Sequence, residues 1–290
     1  MTKHLILRTC NADMQSYNGF QWPRSGPVTA PDWNPKEECG HGLHGFLRGE
    51  GEGSLADWRS EAVWVVAEVE TFVDLGGKVK SPAAEVIFVG SRLDATALVK
   101  ARYPDAAVIG ANVTVENGRA AVVGERGTAT AGTHGTATAG THGTATAGIF
   151  GTATAGTHGT ATAGTHGTAT AGIFGTATAG YGGTATAGNG GTATAGNGGT
   201  ATAGYGGTAT AGYGGTATAG DGGTATAGDG GTATAGDGGT ATAGERGMLQ
   251  IYYYDRKNNR RRLAVAYIGE DGIRPTVKYR LDGNAKFVPA

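Results

Sequence analysis

The chain has 290 residues, a formal net charge of -1, 56 glycines and two cysteines. A balance this close to neutral gives no basic field for nucleic acid or an anionic membrane, and Cys10 and Cys39 alone do not make a disulfide framework. The opening MTKHLILRTC is too short an apolar run for a signal peptide, and no stretch approaches the ~20 apolar residues of a membrane span. The expected compartment is therefore the cytoplasm.

In chain order, residues 1–102 read as an α+β domain. Strands are expected in HLILR (His4 to Arg8), AVWVVAEVE (Ala62 to Glu70) and AEVIFVG (Ala84 to Gly90), with a helix from Asp94 to Arg102 that buries Leu98 and Val99. The Gly- and Pro-rich stretch from Asn18 to Gly45 reads as loop. It contains the densest chemistry of the chain, CGHGLH, with Cys39, His41 and His44. Together with Cys10 these could form a tetrahedral N/S zinc site, but Cys-x-His-x-x-His is not a finger spacing. A tight glycine turn with one histidine bonded to backbone accounts for the same letters. A catalytic Cys–His pair is a third reading, with no evident orienting group. No metal or other cofactor is assigned, and the chain is not expected to be an enzyme.

Residues 103–126 contain degenerate octets, and residues 127–246 are fifteen uninterrupted copies of Gly-Thr-Ala-Thr-Ala-Gly-x-x. A fixed short period signals a solenoid. Two or more glycines per octet, at ~1 kcal/mol each, exclude a helix, and strict phase over fifteen copies argues against a disordered linker. In an extended strand alternate residues share a face, so the threonines point one way and the alanines the other. The degenerate octets set the facing: the alanine positions become Val113, Val115, Ala121 and Val123, then Leu249 and Ile251 after the repeat, whereas the threonine positions stay mixed. Alanine is therefore inward and threonine outward. One octet is too short to close a two-layered coil, so two octets should form each coil, with strands ~4.8 Å apart in a rod of about 35 Å. Thr128, Thr130, Thr136, Thr138, Thr184, Thr186, Thr192 and Thr194 are expected to face water.

The variable pair ending each octet falls on the turns. Octet n should stack on n+2, placing His142 over His158, Tyr181 over Asn197 and Asp221 over Asp237. Tyr181, Tyr205 and Tyr213 are candidate self-association tips. The recurring His134, His142, His158 and His166 could bind a transition metal, and Asp221, Asp229 and Asp237 could bind calcium, but solvated tips explain both sets. Residues 247–290 read as a cap of two hairpins, one around the basic turn DRKNNRRR and one over Asp282–Gly283–Asn284, with Tyr252 to Tyr254 covering the last coil. The basic turn could touch phosphate, but charges that block edge pairing account for it.

The octet GTATAGYG resembles the octapeptide of bacterial ice-nucleation proteins across the 120-residue repeat. That resemblance implies a water-organising surface and tyrosine-mediated pairing. The array here is short, and tip tyrosines stand in only three octets. Separately, GFQWP, ECGHGLHGF, VAEVE and GGKVKSPAAEVI resemble an uncharacterised domain of phage and bacterial proteins that precedes short octapeptide repeats. This resemblance implies a capped solenoid and no activity.

The sequence thus predicts a mainly β protein: a β-solenoid, an α+β N-terminal cap and a small β C-terminal cap. Its main functional reading is a non-catalytic rod that self-associates or serves as a scaffold. The alternative is a protein that binds ice or ordered water through Thr-x-Thr faces. Neither nucleic acid nor membrane is expected as a partner.

Overall fold

The computed structural model describes residues 2–16 and 18–290. The chain divides into two compact units, residues 1–113 with 122–129, and residues 114–121 with 130–290.

The first unit is built on a seven-stranded antiparallel sheet. Its strands are β1 (His4–Cys10), β2 (Gly26–Thr29), β3 (Leu43–Leu47), β4 (Val63–Val69), β5 (Val73–Asp74), β6 (Val79–Ser81) and β7 (Ala83–Gly90), in the order β2-β7-β4-β1-β3-β6-β5. The apolar run of β1 holds the centre because it can be buried on both faces: Leu5, Ile6 and Leu7 lie between β4 and β3, with Ile6 opposite both Ala67 and Leu47. Helix α1 (Arg92–Arg102) starts on a Ser91 cap, whose hydroxyl accepts the Asp94 N–H. Ala95, Thr96 and Val99 form its buried face, while Leu98 is only half-buried. The Gly/Pro-rich stretch is not all loop. It forms β2, a sheet-edge strand where Pro27 is tolerated, and most of β3.

Across the repeat every octet contributes one four-residue strand, from β10 (Thr128–Ala131) to β24 (Thr240–Ala243). β8 (Asn112–Val115) and β9 (Ala120–Val122) come from the degenerate octets. Strands alternate between two sheets, so each pairs in parallel with the strand sixteen residues away. The register is strict: Thr136 opposes Thr152, Ala137 opposes Ala153, and so on through each sheet. Two octets therefore make one coil. The alanines are the core, Ala185 at 0% exposure and Ala187 at 3%, while the threonines line both outer faces.

The turns explain the invariant glycines. Each is a Gly-x-x-Gly reversal closed by a bond such as Gly135 N–H to the Gly132 carbonyl at 3.0 Å. Coils stack so closely that a Cβ on Gly148 would stand 2.8 Å from the Thr133 nitrogen, and one on Gly151 would stand 2.9 Å from the Gly135 carbonyl oxygen. The third turn residue has positive φ. Glycine takes that place from Gly182 (φ 62°) to Gly238, histidine or phenylalanine holds it in the early octets (His142, φ 55°; Phe174, φ 55°), and Arg246 (φ 56°) holds it in the last. Its N–H bonds to the next coil, as His142 does to the Thr157 carbonyl at 2.9 Å, so the turns form ladders of their own.

The last coil is closed by antiparallel hairpins on both sheets. β25 (Met248–Asp255) continues the parallel ladder, with Leu249 and Ile251 on the alanine track, and then pairs with β26 (Arg260–Tyr267). β27 (Tyr279–Leu281) pairs with β24 and with β28 (Phe287–Pro289), and buries Tyr279. Tyr252 to Tyr254 do not cover the last coil. They run on past the four residues that pair with β23 (Thr232–Ala235), oppose Arg261 to Leu263, and leave Tyr252 and Tyr254 exposed.

Candidate functional site

Two flat Thr-x-Thr surfaces dominate the repeat. Thr128, Thr130, Thr192 and Thr194 belong to one sheet, and Thr136, Thr138, Thr184 and Thr186 to the other. In each octet from Thr136 to Ala219 the first threonine is exposed and the second partly so. In-register pairing converts a sequence repeat into two columns of hydroxyls and methyls per face, spaced ~4.8 Å between strands and ~6.7 Å along each strand. Near the C-terminal end the columns close on themselves. The Thr224 and Thr240 hydroxyls are bonded at 3.2 Å, and the buried Thr234 donates to Gln250 Oε1 at 3.0 Å.

The coil edges differ along their length. Rings stack on the early octets: His142 on His158 at 5.0 Å, and Phe150 between His134 and His166 at 5.1 and 5.3 Å. Next come Tyr181, Tyr205 and Tyr213, exposed by 60%, 69% and 59%. The two-octet coil splits them: Tyr181 and Tyr213 share one edge with Asn197 between them, while Tyr205 stands on the other. The later tips have a structural task that the sequence reading missed. Asn197 Oδ1 accepts the Tyr213 N–H at 3.0 Å, Asp221 Oδ1 that of Asp237 at 2.9 Å, and Asp229 Oδ1 that of Glu245 at 2.9 Å. An acceptor one carbon from the backbone, sixteen residues before a free N–H, was the available signal. In the basic turn, Arg261 pairs with Asp221 and Arg262 with Asp255.

The first unit contains a cleft of about 1010 Å³ lined by Arg8, Cys39, His41, His44 and Lys78 among others. Its rim is the CGHG turn, in which Gly40 and His41 have positive φ. Buried Lys80 anchors the turn, donating to the Glu38 and Gly40 carbonyls at 2.8 and 3.3 Å. Cys39 is exposed and accepts from Lys78 Nζ at 3.1 Å, a bond that holds its thiol below the usual range. His41 faces Asp32 at 3.6 Å. His44 lies deeper, and burial, aided by Lys78, Arg8 and Lys80, pushes its pKa down to about 4. The three residues thus share a cleft. Among the described residues, however, no three His, Cys, Asp or Glu side chains converge to hold a metal ion. No described helix is long and apolar enough to cross a membrane.

Fold and surface together define a β-solenoid of tandem octets bearing parallel threonine ladders. Over the repeat the chain is similar to ice nucleation proteins. One from Pseudomonas syringae is 36% identical over 111 residues, covering 37% of this chain and 10% of that protein. One from Xanthomonas campestris pv. translucens is 39% identical over 106 residues, covering 35% and 7%. Ice nucleation protein InaU of Pantoea ananas is 39% identical over 97 residues, covering 32% and 9%. The chain thus spans a tenth or less of the length of these relatives. Residues 4–101 match a family described as a domain of unknown function, DUF7666. No solved structure matches the chain.

Proposed function

We propose that the solenoid binds ordered water, ice included, through its Thr-x-Thr faces. The observation that carries this reading is the unbroken register of outward threonines, Thr136 opposite Thr152 opposite Thr168 and onward along one sheet, with the same pattern on the other. Each threonine is β-branched and stiff at χ1, and each sits on a backbone fixed by ladder bonds. The hydroxyl and methyl positions therefore repeat with little freedom, as a template for a water lattice requires. The similarity to ice nucleation proteins supports this reading over a surface that is merely soluble. Binding is non-catalytic and needs no cofactor. The test is ice affinity and droplet freezing with purified protein. Thr184→Lys or Thr186→Lys should abolish ice affinity while leaving the melting temperature unchanged, because the side chain projects outward and interrupts the flat grid. A parent protein that leaves ice growth and freezing unchanged overturns the reading.

The exposed tyrosine tips favour a second reading, a rod that self-associates. It expects a parent that dimerises in light scattering and loses this property on Tyr→Ser at Tyr181, Tyr205 and Tyr213, whether or not ice is bound.

A further inference from the structure

The cleft of the first unit is lined by three cations, Arg8, Arg59 and Lys78, against two carboxylates, Asp32 and Asp57. Arg8 stacks its guanidinium 4.0 Å above the centre of the buried Trp22 ring. It gives one N–H to the His44 carbonyl at 3.1 Å and one to the Thr9 carbonyl at 3.4 Å. Its Nε is fully covered and has no partner within the described chain. Burial lowers the affinity of Arg8 for the proton, the nearby Cys10 thiol opposes this, and no carboxylate acts on it. Lys78 is bonded to Cys39 rather than to an acid. The two acids on the cleft wall are otherwise engaged: Asp57 with Arg59 at 2.6 Å, and Asp32 facing His41.

A second observation is independent of charge. Among the described residues the covered side-chain nitrogens and oxygens without a hydrogen-bond partner are Arg8 Nε, Trp22 Nε1, His44 Nδ1 and Arg262 Nε, the last of which is ion-paired with Asp255 at 2.6 Å. The first three belong to residues lining this one cleft. Unpartnered buried polar atoms are rare and each calls for an explanation. Arginine and tryptophan nitrogens are donors only, so the side chains packed behind this wall leave donors rather than acceptors unmatched. The remaining walls include Phe20 and Leu55, and the volume suits a small organic molecule.

We infer that this cleft is a binding site for an organic anion of about nucleotide size, whose phosphate or carboxylate oxygens meet Arg8 and Lys78 and whose apolar part lies against Phe20 and Leu55. The site is separate from the threonine faces and does not depend on the solenoid's function. Arg8 on its stacked ring provides a planar donor edge suited to paired oxygens. Lys78, held by Cys39, adds a second cation, and His44, neutral near pH 7, adds none.

The test is calorimetry on the full chain at low salt with AMP, citrate, inorganic phosphate and adenosine, with Trp fluorescence followed in parallel. AMP or citrate should bind and adenosine should not. AMP alone would identify phosphate as the favoured group, and citrate alone carboxylate. Lys78→Gln should weaken binding about tenfold, ~1.4 kcal/mol, and Arg8→Lys, which keeps the charge but loses the planar fork, should weaken it further. Because Arg8 is packed on Trp22, the half-buried Lys78 supplies the variant least exposed to misfolding. The inference is overturned if neither AMP nor citrate binds below about 10 mM, if adenosine binds as well as AMP, or if Lys78→Gln leaves the affinity of a folded protein unchanged.

Discussion

Ala185 and Thr184 are chain neighbours on opposite sides of one strand, and the physics of substitution differs between them. Ala185 has 0% exposure, with Ala169 and Ala201 in register on either side. Ala185→Leu should therefore lower the melting temperature sharply, since overpacking alone costs ~1–3 kcal/mol and a core of methyl groups has no flexible neighbour to yield. Thr184→Val should leave the fold intact; the opposite ranking in thermal melts would reverse the facing of the strand. His44 makes a pH prediction. Its folded pKa, about 4, lies below the ordinary histidine value of 6.5, so the unfolded chain binds the proton more readily. Its contribution to stability is complete above about pH 6.5 and is lost as pH falls towards 4. Melts of the first unit between pH 7 and 4 should show that loss, and His44→Asn should reduce it. The alternation that sets threonine out and alanine in was legible in the sequence, because a strand has a period of two. The environment of His44 was not, because it depends on burial by the fold and then on charges from Lys78, Arg8 and Lys80, which are distant along the chain.

At the level of the element, the octet is half a coil. Deleting one octet moves β25 to the other sheet and sets Leu249 and Ile251 against the wrong neighbours, whereas deleting two shortens each sheet by one strand and preserves every register. The single deletion should melt lower than the double; equal melting temperatures would show that the coil is one octet. The sixteen-residue coil was deducible from chain geometry, since eight extended residues cannot surround a two-layered core. Sequence reasoning placed β1, β4, β7 and α1 correctly because each carries a run of apolar residues or a clear helical face. It read β2 and the start of β3 as loop because glycine and proline dominate there. Those residues become strand only through partners far along the chain, Val28 opposite Ala84 and Leu43 opposite Ser81.

For the molecule as a whole, parallel stacking leaves two open sheet edges at the end of the array, and open edges pair with other chains. β26 and β27 occupy them. A chain truncated after Asp255 should therefore aggregate in a concentration-dependent way by light scattering, although all fifteen octets remain; a monodisperse product would show that the hairpins are dispensable. The sequence by itself determined the solenoid, the facing of its strands, the coil length and the capping hairpins. Each follows from a local period or a turn signal repeated until only one packing satisfies every copy. Tertiary structure alone decided the rest. It split the tip tyrosines between two edges, turned asparagine and aspartate into acceptors for the next coil, and carried Tyr252 to Tyr254 past the coil they were expected to cover. It also brought Arg8, Trp22 and His44 to one cleft. Arg8 carried no distinguishing signal in the sequence, because its place depends on antiparallel pairing between β1 and β3. Contacts between residues tens of positions apart carry no period, so only the folded chain reveals them.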